Sequence, residues 1–102
     1  MKTIHMKLFG DFLLGREDAQ LAYQAIQRDY LHHDTSTTFY VDFEGVKVLA
    51  PSYCDELFGK LEEELPNRFY FDPDMKHALK AAFQTVEATR KVHFNFSPAP
   101  TN

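Results

Sequence analysis

Apolar and polar residues alternate at the start of the chain, with Ile4, Met6 and Leu8 on one side and His5 and Lys7 on the other. That period of two predicts a strand over 3–8. Phe9-Gly10-Asp11 follows as a turn or bulge, and Phe12-Leu13-Leu14 is a short apolar stretch ending at Gly15. From Glu17 to about His32 the period lengthens, and Ala19, Ala22, Tyr23, Ile26 and Tyr30 recur at helical spacing. Glu17 and Asp18 fall in the first turn, where the positive end of the helix dipole favours acids. Asp34-Thr35-Ser36 breaks the helix. Thr37 to Phe43 returns to period two, with Phe39, Val41 and Phe43 on one face. Gly45 punctuates, and Val46 to Ala50 is a second short apolar run or, with Glu44-Gly45 as a bulge, a continuation of that strand.

Pro51 introduces the clearest helix signal. Ser52-Tyr53-Cys54-Asp55 fits the capping box Ser-x-x-Asp, with Asp in place of the more usual Glu. Cys54, Leu57, Phe58, Leu61 and Leu65 then form one apolar stripe, and Pro66 ends the helix. Asn67 to Phe71 is a further strand. Asp72-Pro73 supplies a cap and a first-turn proline for a third helix, whose stripe is Met75, Leu79, Ala82, Phe83 and Val86. Val92, Phe94 and Phe96 alternate as a short terminal strand. The order is βαβαβα with a last β. Strands separated by helices imply crossover connections, so the expected fold is α/β, a mostly parallel or mixed sheet with helices packed against it. Residues 1–96 form one domain, and the polar stretch 97–102 is a flexible tail.

Composition narrows the function classes. The chain has 102 residues, 44% apolar and 25% charged, which is ordinary globular composition for one domain. There is no unbroken apolar run of membrane-spanning length, and Met1 to Asp11 lacks the apolar core of a signal peptide. One cysteine cannot form an internal disulfide, so a reducing cytosol is the expected compartment. The formal net charge is −4 and no Lys/Arg cluster occurs, which argues against nucleic acid as a partner.

The chemistry is sparse. His5, His32, His33, His77 and His93 stand at no metal-ligand spacing, and side chains at adjacent helical positions such as His32 and His33 diverge. No metal and no cofactor is expected, and the four glycines are isolated rather than gathered in a phosphate loop. Cys54 has two readings, a thiol activated at a helix start or a buried member of the apolar stripe. Asp55-Glu56 and Glu62-Glu63-Glu64 read as a solvated helix face able to meet a basic partner. Gly59 faces away from the stripe, where a close contact with a helix or a partner would justify it. Arg16 begins a helix, where cations are disfavoured. It therefore pairs with an acid such as Asp11 or Asp42, or faces a ligand anion. Ser52 lies at a strand-to-helix junction, where ligands of parallel sheets collect and free N–H groups favour anions. It is a helix cap or, with Arg16, part of an anion site.

A resemblance gives this junction a further meaning. Asp42-Phe43-Glu44-Gly45-Val46, an apolar spacer, and Pro51-Ser52-Tyr53-Cys54-Asp55-Glu56-Leu57-Phe58-Gly59 resemble the core of the prokaryotic STAS-like domains of unknown function. Phe9 to Ala19 resembles the same family's Gly…Ser-Arg-x-x-Ala segment, with Gly15 in place of the usual Ser. The resemblance runs from about residue 2 to residue 90. It implies a relative of the anti-sigma-factor antagonists, which are not enzymes. Those proteins bind a histidine-kinase-like ATPase, the anti-sigma factor, and are switched by phosphorylation of a serine at a helix start. In their motif Asp-Ser-Ser/Thr-Gly-Leu, aligned from Asp42, the Asp meets Ala50 and the phosphorylated Ser meets Pro51. Ser52 falls one position later as the candidate phosphorylation site, and Tyr53 replaces the Gly. The implied function is a regulatory, protein-binding module. Its partner surface is Ser52, Tyr53, Asp55, Glu56, Gly59 and Lys60. The alternative is a small-ligand or nucleotide-binding module at the carboxyl ends of the strands. An exposed edge strand near Val92–Phe96 offers a route to a homodimer.

Overall fold

The computed structural model describes residues 1–31 and 36–98. Four strands, β1 (Lys2–His5), β3 (Phe39–Asp42), β5 (Phe69–Phe71) and β6 (Asn95–Phe96), form a wholly parallel sheet in the order β1-β3-β5-β6. Two more, β2 (Phe12–Leu13) and β4 (Val48–Leu49), form a separate parallel ribbon. Three helices make the crossovers. α1 is Arg16–Ile26, and it runs on through a wider π turn over Gln27–Leu31. α2 covers residues 51–64 and contains a π turn at Asp55–Gly59, between Pro51–Cys54 and Lys60–Glu64. α3 is His77–Arg90. The expected α/β fold is therefore present, and of the mostly parallel or mixed sheet expected the structure shows the parallel form. The His32-His33 pair and residues 99–102 of the expected tail lie outside the described residues.

Register explains which side of the sheet is covered. Ile4 pairs with Val41, and Val41 with Phe71, so these apolar residues share a face, joined there by Phe39 and Phe69. The three helices pack on that face in one layer, with α2 touching both α1 and α3. Thr3, Tyr40, Tyr70 and Asn95 line up on the opposite face. The core is dominated by phenylalanine. Phe83 of α3 lies 4.8 Å from Phe71 and 5.0 Å from Phe94 between ring centroids. Phe58 of α2 stacks on Phe83 at 5.6 Å and meets Phe71 edge-on at 5.3 Å. Edge-to-face and offset pairs of this kind add to the burial each ring already contributes.

Four local expectations are corrected. The first strand stops at His5, and Met6–Phe9 winds into a 3₁₀ turn, so Leu8 leaves the core face and is 75% exposed. Val46 to Ala50 does not continue β3. Gly45, at φ 85°, turns the chain, and Val48–Leu49 joins Phe12–Leu13 instead. Asp72 does not cap α3. Its carboxylate accepts the Asp74 N–H at 2.8 Å in a separate turn, and the helix starts only at His77. Alternation over 92–96 yields only the two-residue β6, though Phe94 is buried. Leu65, by contrast, leaves the helical region just before Pro66, as a residue preceding proline tends to do.

Gly59 shows how tightly the helix layer is drawn together. A Cβ there would stand 2.8 Å from Arg90 Cδ and 3.2 Å from Val86 Cγ1. The contact is thus with a helix of the same chain, not with a partner. Alanine would gain about 1 kcal/mol of helix propensity, but overpacking costs about 1–3 kcal/mol. Arg90 is held by hydrogen bonds at both ends of its guanidinium and cannot swing away freely. Gly59→Ala should therefore lower the thermal unfolding midpoint, and an unchanged or raised midpoint would contradict this packing.

Candidate interaction face around the central helix

The residues singled out around Ser52 are brought together where the β2–β4 ribbon feeds α2. The Ala50 N–H donates to the Leu13 carbonyl at 2.8 Å, which fixes the ribbon against the helix start. Pro51 occupies the first helical position, where its missing N–H costs nothing. Ala50 is the N-cap, with no side-chain hydrogen bond, so the expected capping box does not form. Ser52 sits one residue too far inside the helix. Its Oγ instead donates to the Leu14 carbonyl at 3.0 Å, tying α2 to the segment between β2 and α1.

Asp55 is also taken from the capping role by stronger partners. Arg16 Nη1, from the start of α1, donates to Asp55 Oδ2 at 2.8 Å and to Glu56 Oε1 at 3.4 Å. Arg90 Nη1, from the end of α3, donates to Asp55 Oδ1 at 3.0 Å and to the Asp55 carbonyl at 2.8 Å. Arg90 also clasps Glu63, Nε to Oε2, at 2.9 Å. One carboxylate of the central helix thus holds both flanking helices. Burial would raise the Asp55 pKa, but the hydrogen bonds from Arg16 and Arg90 outweigh it and hold the carboxyl below its ordinary value. Arg16 pairs with Asp55 and Glu56, not with Asp11 or Asp42. Asp11 is engaged by Lys7 and Asp42 by His5, Nδ1 to Oδ2, at 2.9 Å. Arg90 was not anticipated from sequence. Its only mark there is a cation in the last turn of a helix.

The other expected surface residues divide. Lys60 is half-buried, with its Nζ 4.2 Å from the centre of the Tyr23 ring, whose hydroxyl donates to Glu64. Tyr53 is buried, its phenol pushed up to about 12 by desolvation and then by the Asp18 charge, so it cannot form part of an exposed surface. Glu62 departs from the solvated acidic face. It is 5% exposed, its Oε2 accepts the Asn67 N–H at 2.8 Å, and its Oε1 has no hydrogen-bond partner among the described residues. The π turn shifts which residues of the acidic run face inward. The surface that remains is Ser52, Asp55, Glu56 and Lys60. Cys54 is fully buried, and desolvation, then Asp55 and Glu87, raise its thiol pKa well above normal. The activated-thiol reading therefore gives way to the packing one.

At the carboxyl ends of the main strands a cleft of about 310 Å³ opens between the turn after β3 and the loop after β5. Asp42, Glu44, Asp72 and Asp74 line it, with Lys76. Arg16 and Ser52 do not contribute to it. A family model described as a STAS-like domain of unknown function matches residues 18–72, more than half of the chain. The chain belongs to that family. The STAS-like match runs from Asp18 in the first turn of α1 through β3, the ribbon strand β4, α2 and β5, so it contains Ser52 and Asp55 but neither Arg16 nor Arg90. Comparisons with the curated proteins and with the solved structures each returned no match.

Two measurements test this arrangement. A carboxyl whose folded pKa is depressed adds stability above its unfolded pKa of about 3.9, and that stability is lost as pH falls through the lower folded value. Asp55→Asn should therefore lower stability near neutral pH and shrink the loss on acidification below about pH 4. Parallel stability–pH curves for the variant and the native chain would contradict the network. Cys54 should react with a thiol reagent only after unfolding, at least 100-fold faster in denaturant than in the native state. Comparable rates would contradict its burial.

Proposed function

We propose that this STAS-like domain is a non-enzymatic regulatory module that binds a protein partner, in the manner of an anti-sigma-factor antagonist. The contact surface is the open line of α2, namely Ser52, Asp55, Glu56 and Lys60, with the loop before it. The observation that carries this reading is the bracing of that line. Arg16 and Arg90 hold its central carboxylate from both sides, so the face is presented in one fixed conformation. A preorganised surface loses less entropy on association. The partner class is a histidine-kinase-like ATPase or other anti-sigma factor, and Ser52 is the residue whose phosphorylation would regulate binding. A phosphate on Ser52 would remove its hydrogen bond to Leu14 and add charge next to Asp55 and Glu56. The cleft at the strand ends gives less support to a nucleotide site, since four carboxylates line it against the single cation Lys76.

The test is affinity purification of the tagged chain from its native cell, with quantitative mass spectrometry of bait and prey. One ATPase partner should be enriched by the native chain and reduced at least tenfold by Glu56→Lys/Lys60→Glu. Ser52→Asp should weaken the same capture, and Ser52→Ala should not. Capture that is indifferent to all of these variants would remove the α2 face from the interface. Loss with Glu56→Lys/Lys60→Glu but not with Ser52→Asp would keep the interface and remove the switch.

A further inference from the structure

Resting on the protein-binding reading above, we infer that the β2–β4 ribbon supplies the apolar centre of the interface, and that it receives a partner protein's apolar ridge flanked by lysine or arginine. The sequence carries two short apolar runs here, Phe12 to Leu14 and Val46 to Ala50. The structure divides them by the pleat. Leu13 and Leu49 are register partners and turn inward, at 1% and 5% exposure. Phe12 and Val48 are also register partners and turn outward, at 56% and 40% exposure. Leu14, two residues beyond Phe12 on the same side, is 51% exposed. Its carbonyl receives Ser52 Oγ, and Pro51 beside it is exposed, so the patch runs onto the start of α2. Single exposed apolar side chains are normal on a protein surface, but adjoining ones at the end of a ribbon mark an interaction site.

Charge around the patch decides what kind of partner fits. Asp11 precedes Phe12, and its carbonyl accepts the Lys47 and Val48 N–H groups. Glu17 and Asp18 follow Leu14 in the first turn of α1. Asp18 is close enough to Tyr53 to raise the pKa of its phenol. Asp55 and Glu56 border the helix side. Against these stand Lys7, which is paired with Asp11, Arg16, which is paired with Asp55 and Glu56, and Lys47. Carboxylates outnumber cations around the patch, and Glu17 and Asp18 form no ion pair among the described residues, which leaves them to meet charge from outside. An apolar centre with an acidic rim is complementary to an apolar ridge with a basic rim, which also speeds encounter.

The experiment places a benzophenone side chain at position 12, at position 60 or, as a remote control, at position 84 on the outer side of α3. Each chain is irradiated in the native cell, and the cross-linked peptides are sequenced. The expected result is one partner captured from positions 12 and 60 and not from 84. The peptide joined to position 12 should be apolar and flanked by Lys or Arg. Leu14→Ser/Val48→Ser, both at exposed positions and checked by unchanged circular dichroism, should lower capture from position 60 at least tenfold. Raised salt during purified rebinding should weaken it. Capture from position 60 alone would overturn the ribbon as interface centre while leaving the α2 reading intact. Capture from neither would overturn both. An acidic peptide, a second copy of this chain or a lipid joined to position 12 would also overturn the inference.

Discussion

Phe58 is surrounded by Phe43, Phe71 and Phe83, with ring centroids 5.3–5.6 Å away, and this places the middle of α2 against both the sheet and α3. Much else follows from that position. A helix pressed between a sheet and two neighbours has little surface left, so α2 cannot present the even acidic face its sequence suggests. Tyr53, Cys54, Gly59 and Glu62 are drawn inside with the apolar stripe. The π turn over Asp55–Gly59 widens the helix at this point and places Gly59 against Arg90.

The charged network is secondary to this packing but completes it. Polar groups drawn toward a core need partners, and a carboxylate shared by two guanidiniums is a strong arrangement when partly desolvated. Asp55 has both Arg16 and Arg90, and Arg90 has Glu63 as well. Glu62 lies in the same helix with one oxygen satisfied by a backbone N–H and the other without a partner among the described residues. Burial accordingly raises its pKa, against the lowering effects of the Asn67 N–H and His93. The contrast between neighbouring acids of one run is set by neighbours and not by sequence spacing.

For function, the geometry concentrates interest on one corner of the molecule. The ribbon, the start of α1 and the start of α2 meet there through short backbone and side-chain hydrogen bonds. No helix among the described residues is long and apolar enough to cross a membrane. The corner combines fixed polar groups with an outward apolar pair, the composition usual for the centre and edge of a protein–protein contact.

The alternation of strands and helices, a mostly parallel or mixed sheet and nearly all of the apolar stripes were legible in the sequence. Those follow from local periodicity, which the backbone reads over a few residues. It also carried the family motif through Asp42 to Gly59. Tertiary structure alone decided the rest. Leu8, Phe12, Leu14 and Val48 look like core residues in sequence, yet a 3₁₀ turn and a ribbon pleat turn them outward. Ser52 and Asp55 match a capping box, yet Leu14, Arg16 and Arg90 offer them better partners from 35 to 39 residues away in the chain. Local pattern sets which face of an element is apolar. Only the packing of distant elements sets which polar group finds a partner and which apolar group is left exposed.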